Sequence, residues 1–158
     1  MVEKLKKILI IDDERSIRAT LKEILEFEKY LVETAQDGIE GYKMAEEKNF
    51  DLIFCDIKMP KIDGIETLKK IVENNILTPV VMISGHGDIE TAVHTLKIGA
   101  FDYIEKPLDL NRVLTCVKNA LNNNHLRKEN RILKRKIKSN SEIIGQSPEI
   151  KSILELIT

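Results

Sequence analysis

Apolar residues along this chain fall into five short runs, separated by segments that have helical spacing. The runs lie near residues 7–12, 31–35, 51–56, 79–84 and 101–105. Short apolar runs bounded by polar residues are typical of buried strands in a parallel sheet. Because the runs alternate with helical patterns, the sequence predicts an α/β fold of five βα units, with helices on both faces of a parallel sheet.

The segments between the runs carry apolar residues at the spacing of amphipathic helices. Four helices are predicted to begin near Glu14, Asp37, Gly64 and Asp88. Gly99 suits the end of the fourth helix, and Asp109 is predicted to cap a fifth. The apolar stripes of the first four helices are predicted to face the core: Ile17, Leu21, Ile24, Leu25, Phe27, Ile39, Tyr42, Ala45, Ile65, Leu68, Ile71, Ile89, Ala92, Val93 and Leu96.

The fifth helix is predicted to continue as a linker. After Asp109, the next Gly or Pro is Gly145, so nothing of that kind ends the helix earlier. Three Asn at 122–124 nevertheless disturb the pattern. A short seam of coiled-coil type lies beyond them, at Leu126, Asn130, Leu133 and Ile137. We predict a dimerising linker helix over residues 122–140, with a solvated or frayed helix as the alternative.

Carboxylates follow two of the apolar runs directly. Asp12 and Asp13 end the first run, and Asp56 ends the third. Ligands of open α/β sheets bind outside the carboxyl ends of the strands, so these residues meet if the two strands are neighbours. Two such charges about 4 Å apart repel by roughly 4 kcal/mol at an effective dielectric near 20. A cation is therefore expected among them, and an all-oxygen cluster suits Mg²⁺.

Two further runs end on a hydroxyl and an ammonium group. Ser84 ends the fourth run, and Lys106 follows the fifth. Together with the carboxylates, such a set can hold Mg²⁺ and neutralise the oxygen atoms of a transferring phosphoryl group. The alternatives are a metal-free helix N-cap pair for Asp12 and Asp13, and a surface lysine for Lys106.

These residues, in their strand-end contexts, resemble the receiver domain of a bacterial two-component response regulator. The segments 82–88 and 100–107 are most similar to the NtrC-type group, the sigma-54-dependent transcriptional activators. The resemblance implies a flavodoxin- or CheY-like fold with strand order 2-1-3-4-5 and a receiver domain over residues 1–121. Residues 141–158 resemble the beginning of an AAA+ ATPase domain, although the chain contains no G-x-x-x-x-G-K-[ST] phosphate loop.

The resemblance also implies a role for each site residue. Asp56 would accept a phosphoryl group from a sensor histidine kinase. Mg²⁺ would be held directly by Asp13 and Asp56, through water by Asp12, and by the backbone carbonyl of Lys58. Lys106 would pair with the phosphoryl group, and its bond to the following proline is expected to be cis. Apart from the resemblance, Glu14 is assigned to the first turn of the helix, where its charge suits the helix dipole, with an extension of the acidic site as the alternative.

A second set of residues is implied as the switch. Ser84 would donate to the phosphoryl group, and Tyr103 would then turn inward and reshape the face of the fourth helix, fifth strand and fifth helix. A plain surface tyrosine is the alternative for Tyr103. Lys58 and His86, two residues past Asp56 and Ser84, are predicted to set the phosphoryl lifetime, with an exposed loop histidine as the alternative for His86.

Composition and charge bear on partners and location. The formal net charge is −1, and no apolar run approaches the roughly 18 residues of a membrane span or forms a signal peptide before the first strand. A cytoplasmic protein with no membrane partner is expected. Basic residues concentrate between Arg127 and Lys138, which we interpret as a solvated helix face rather than a nucleic-acid or scaffold module.

The implied function is regulatory. The domain would catalyse only its own phosphorylation, and the full-length activator would bind DNA and sigma-54 RNA polymerase as a homodimer. Whether the receiver represses or promotes ATPase assembly stays open. An enzyme alternative is a Mg²⁺-dependent phosphatase of the haloacid dehalogenase type, but that family needs an Asp-x-Asp motif that Asp12-Asp13 does not provide.

Overall fold

The computed structural model describes residues 5–59, 61–85 and 89–122, which contain a five-stranded parallel sheet. The strands are β1 (Lys7–Ile11), β2 (Leu31–Ala35), β3 (Leu52–Asp56), β4 (Val80–Ser84) and β5 (Asp102–Glu105). The helices are α1 (Arg15–Phe27), α2 (Gly38–Glu47), α3 (Gly64–Glu73), α4 (Ile89–Ile98) and α5 (110–122). The sheet order is β2-β1-β3-β4-β5, so the predicted fold class and strand order are confirmed.

Alternate residues of the central strands supply two apolar cores, one on each face of the sheet. Ile8 and Ile10 of β1 pack in the core that α1 and α5 cover, and Leu9 and Ile11 pack in the core on the side of α2 and α3. This follows from the two-residue period of a strand, whose successive side chains point to opposite faces. The predicted helices on both faces are therefore confirmed.

Aspartate side chains cap the starts of three helices. Asp37 accepts a hydrogen bond from the Glu40 amide at 2.8 Å, and Asp63 accepts one from the Glu66 amide at 2.9 Å. Asp109 accepts from the amide of Arg112 at 3.1 Å, as predicted for α5. These bonds satisfy amide groups that have no partner within the helix.

Five side chains predicted to face the core are instead exposed: Phe27, Ile39, Ile89, Val93 and Leu96. On α4 the helix is rotated so that the small residues Ala92 and Thr95 are fully buried. Val93 and Leu96 each follow a buried position by one residue, about 100° around the helix, and therefore face outward. Similarly, α2 packs through Gly38 and Gly41, which turns Ile39 away from the sheet.

Several predictions lie outside the described ranges. These are the linker over residues 122–140 beyond its first residue, the ATPase-like segment 141–158, the helix start at Asp88, and the role of His86. Among the helices that are described, none is long and apolar enough to cross a membrane.

Candidate functional site

The three predicted carboxylates meet at the carboxyl edge of the sheet. Ile11 pairs with Cys55 across β1 and β3, so Asp12, which follows β1, lies beside Asp56 at the end of β3. One carboxylate oxygen each from Asp12, Asp13 and Asp56 can be chosen so that all three lie within 4.8 Å of one another. The three side chains therefore lie together, as the sequence predicted.

One carboxylate oxygen in the cluster is buried without a hydrogen bond. Asp12 is fully buried, and its Oδ1 accepts a hydrogen bond from the Glu14 amide at 2.8 Å. Its Oδ2 has no hydrogen-bond partner in the described part of the chain, and the Lys106 Nζ lies 3.8 Å away. A buried carboxylate oxygen without a hydrogen bond lowers the stability of the fold unless a cation or a hydrogen-bond donor contacts it. The residues present therefore fit Mg²⁺, which prefers oxygen ligands.

The electrostatics of the site disfavour ionised carboxylates in the absence of a metal. Burial, together with the neighbouring charge of Asp12, raises the pKa of Asp56 to about 7 even though Lys106 acts in the opposite direction. Burial also raises the pKa of Asp12. The cluster therefore has more negative charge than Lys106 compensates, which is the condition under which a bound cation has a large effect.

Lys106 reaches three carboxylates from the end of β5. Its Nζ lies 3.1 Å from Glu14 Oε1, 3.6 Å from Asp56 Oδ2 and 3.8 Å from Asp12 Oδ2. Partial burial works against the ammonium form, but the Glu14 hydrogen bond and the charges of Asp12 and Asp56 prevail and raise the pKa of Lys106. The bond between Lys106 and Pro107 is cis, as the resemblance implied.

For Glu14, the structure corrects the assignment to the first helical turn and supports the alternative, a place in the acidic site. The residue precedes the first turn of α1, at the N-cap position, and its side chain makes no capping hydrogen bond. Instead, its carboxylate accepts a hydrogen bond from Lys106 and so belongs to the acidic site. The sequence offered this place for Glu14 as the alternative, but it could not identify Lys106 as the partner, because the contact joins residues 92 positions apart.

The predicted switch residues lie on adjacent strands. Ser84 is buried at the end of β4, one residue beyond Ile83, which pairs with Asp56. Tyr103 is half-buried in β5 and packs against the core on the side of α2 and α3, so it is already partly turned inward. Lys58 is exposed two residues beyond Asp56.

Two further residues support the site and were not predicted from the sequence. Arg18 of α1 donates from Nη1 to the backbone carbonyl of Asp12 at 2.7 Å. Gly64, the first residue of α3, lies so close to Asp56 that an added Cβ would overlap the Asp56 carbonyl and lie 2.8 Å from Ile57 Cα. The Asp-Gly pair at 63–64 signals a helix start, but nothing in the sequence signals the contact with Asp56.

Comparison with known protein families agrees with this geometry. A family model described as the response regulator receiver domain matches residues 8–118. The chain belongs to this family. Its members are regulatory rather than catalytic domains, and they bind Mg²⁺ at an acidic cluster such as that of Asp12, Asp13 and Asp56.

Curated relatives extend the match beyond the receiver domain. The transcriptional regulatory protein ZraR of Klebsiella oxytoca is 36% identical over 151 residues, which cover 96% of this chain and 34% of ZraR. The nitrogen assimilation regulatory protein NtrX of Azorhizobium caulinodans is 40% identical over 148 residues, covering 92% of this chain and 32% of NtrX. The chain thus spans about a third of the length of these relatives.

Solved structures give the same assignment. NtrX of Brucella abortus in complex with ADP superimposes with a TM-score of 0.77 at 33% identity, covering 98% of this chain and 34% of NtrX. A CheY-like receiver domain protein of Methanospirillum hungatei superimposes with a TM-score of 0.74 at 36% identity, covering 78% and 99% of the two chains. The predicted resemblance to a receiver domain of the NtrC-type group is confirmed.

Proposed function

We propose that this chain is a phosphorylation-controlled regulatory module in which Asp56 accepts a phosphoryl group from a sensor histidine kinase in the cytoplasm. The observation that carries the proposal is the edge of the sheet where Asp12, Asp13 and Asp56 meet, with the Lys106 ammonium 3.6 Å from Asp56. Receiver family membership supports a kinase as the phosphodonor.

Each residue has a distinct part in phosphoryl transfer. Asp13 and Asp56 would bind Mg²⁺ directly, Asp12 would bind it through water, and the Lys58 carbonyl would complete the protein ligands. The metal supplies positive charge that stabilises the phosphoryl oxygen atoms. An Asp56 carboxylate oxygen attacks phosphorus, the bond from phosphorus to the histidine nitrogen breaks, and an aspartyl phosphate forms. Lys106 neutralises a phosphoryl oxygen as negative charge is transferred to the site.

The response to phosphorylation would be read on the face formed by α4, β5 and α5. Ser84 would donate its hydroxyl to the phosphoryl group, and Tyr103 would complete its movement into the core. An interaction at this face is supported by three exposed apolar residues of α4: Ile89, Val93 and Leu96. An apolar surface that is exposed to solvent is a candidate contact surface. His86 would tune the lifetime of the phosphoryl group.

Tyr103→Ala is expected to abolish the change of oligomeric state on phosphorylation while leaving phosphoryl binding intact, because the ring couples the site to the α4-β5-α5 face. Light scattering with and without beryllofluoride measures the change. Tyr42→Ala is the control, since Tyr42 is another half-buried tyrosine that packs against the same core. A normal change in the Tyr103 variant contradicts the coupling role.

The relatives suggest the wider context of this module. Their names describe a transcriptional regulatory protein and a nitrogen assimilation regulatory protein, and each is about three times as long as the matched segment. We infer that the module controls oligomerisation of a sigma-54-dependent activator that also has an ATPase domain and a DNA-binding domain. The linker over residues 122–140 would pair two receivers into a homodimer.

The decisive test is the mass and oligomeric state of the protein with Mg²⁺, in the presence and absence of beryllofluoride, a phosphoryl mimic. We expect a Mg²⁺-dependent change that Asp56→Asn abolishes, because the acceptor oxygen is lost while the shape is kept. A dimer that loosens would indicate repression of ATPase assembly, and one that forms would indicate promotion. Absence of beryllofluoride binding to the unaltered protein would refute the proposed function.

A further inference from the structure

Lys106 makes its shortest ionic contact with a residue that is not one of the proposed metal ligands. Its Nζ donates to Glu14 Oε1 at 3.1 Å, which is a hydrogen bond, whereas the Asp56 Oδ2 atom lies beyond hydrogen-bond distance at 3.6 Å. The lysine expected to meet the phosphoryl group is thus bound first to Glu14.

The backbone of Glu14 is held firmly in this position. Its amide donates to Asp12 Oδ1 at 2.8 Å, and its carbonyl accepts from the Arg18 amide at 3.1 Å. The side chain of Lys106 is mostly buried, at 19% exposure, while that of Glu14 is 53% exposed at the mouth of the site. The pair therefore consists of a confined ammonium and an outer carboxylate that are held within reach of each other.

We propose that Glu14 is a positioning residue that keeps the Lys106 ammonium beyond hydrogen-bond distance of Asp56 and Asp12 until a phosphoryl group arrives. This inference rests on the proposed function, because it assigns Lys106 a phosphoryl oxygen as its later partner. Glu14 competes with the phosphoryl group for the ammonium. It also keeps the ammonium from forming hydrogen bonds with the carboxylates that bind the metal.

Loss of the Glu14 carboxylate should change the affinities for Mg²⁺ and for a phosphoryl group in opposite directions. If the Glu14 carboxylate is removed, Lys106 turns to the Asp12 and Asp56 oxygen atoms, which now lie 3.8 and 3.6 Å from its Nζ, and competes there with Mg²⁺. Once Mg²⁺ occupies those carboxylates, the same removal leaves Lys106 without the Glu14 hydrogen bond that it would otherwise lose before binding a phosphoryl oxygen. Glu14→Gln should therefore weaken Mg²⁺ binding and, once Mg²⁺ is saturating, strengthen binding of the phosphoryl mimic.

Calorimetric titration of the purified chain with Mg²⁺, and then with beryllofluoride at saturating Mg²⁺, tests this inference. For Glu14→Gln we expect the Mg²⁺ dissociation constant to rise about threefold and that of beryllofluoride to fall about threefold, as suits a partly exposed ion pair. Glu23→Gln removes an exposed carboxylate from α1, the helix that follows Glu14, and is expected to change neither constant.

A second comparison separates the lysine from the general effect of charge. In a Lys106→Met background, Glu14→Gln is expected to change the Mg²⁺ constant by less than half as much on a logarithmic scale, because the competing ammonium is gone. An unchanged effect in that background overturns the inference, as does a shift of both constants in the same direction or no shift. Failure of the unaltered protein to bind beryllofluoride would overturn the proposed function as well, whereas the other outcomes bear on Glu14 alone.

Discussion

At pH 8 and without divalent cations, Asp56→Asn is expected to stabilise the protein against urea by about 4 kcal/mol. The carboxyl group is buried at the end of β3, and its pKa is raised from 3.8 to about 7 by burial and by the charge of Asp12. Ionising this group inside the fold therefore costs free energy that ionisation in the unfolded chain does not. Asparagine keeps the shape of the side chain and removes the charge.

The pH dependence follows from the direction of the shift. A pKa raised in the folded state gives a stabilising contribution that is fully present below about pH 4 and is lost as the pH rises through about 7. The difference between the variant and the unaltered protein should therefore shrink towards zero near pH 4. Urea unfolding at a series of pH values, in the presence of a chelator, measures this difference.

Magnesium should reduce the difference in stability between the two proteins. A cation bound by Asp12, Asp13 and Asp56 stabilises the ionised cluster. Because the cation is a ligand of the folded state only, it raises the free energy of unfolding. We expect Mg²⁺ to stabilise the unaltered protein more than the Asp56 variant. Glu23→Gln serves as the charge-matched control and should show neither the pH-dependent gain nor a reduced response to Mg²⁺. A stability gain for Asp56→Asn that is equal at pH 4 and pH 8 would contradict the electrostatic explanation.

The architecture and the acidic cluster could be predicted from the sequence because both follow from backbone geometry. A residue that directly follows a short buried run lies at the carboxyl end of that strand. Parallel strands place all their carboxyl ends at one edge of the sheet. Asp12, Asp13, Asp56, Ser84 and Lys106 could therefore be assigned to one edge before any contact was known. Strand order needed the resemblance as well, since periodicity does not determine which strands are neighbours.

What could not be predicted depends on helix rotation and side-chain reach. Val93 and Leu96 satisfy the spacing of an apolar stripe, but the rotation of α4 buries Thr95, which was not predicted, beside Ala92, which was. The pairing of Glu14 with Lys106 depends on how far two long side chains extend at the edge of the sheet. Neither feature is encoded in a local pattern, because each arises from packing between elements that are distant in sequence.

Gly64→Ala is expected to destabilise the protein by about 3 kcal/mol and to weaken Mg²⁺ binding. An added Cβ would overlap the backbone carbonyl of Asp56 and lie 2.8 Å from Ile57 Cα. Backbone atoms of a buried strand end cannot move aside as a flexible side chain can. Relief of the overlap therefore requires a shift of α3 or of the acceptor residue itself, and either shift disturbs the metal ligands.

Gly38→Ala provides a closely matched comparison, because Gly38 also begins a helix directly after an aspartate cap. Its added Cβ would overlap side-chain atoms of Thr67 and Ile62 rather than the backbone of the acceptor. Any gain in helix propensity is similar at both positions and cancels in the comparison. We expect a smaller loss of stability for Gly38→Ala, about 1 kcal/mol, with Mg²⁺ affinity unchanged. Urea midpoints and Mg²⁺ titrations of the two variants check this, and equal losses of Mg²⁺ affinity would show that the contact between Gly64 and Asp56 does not position the acceptor.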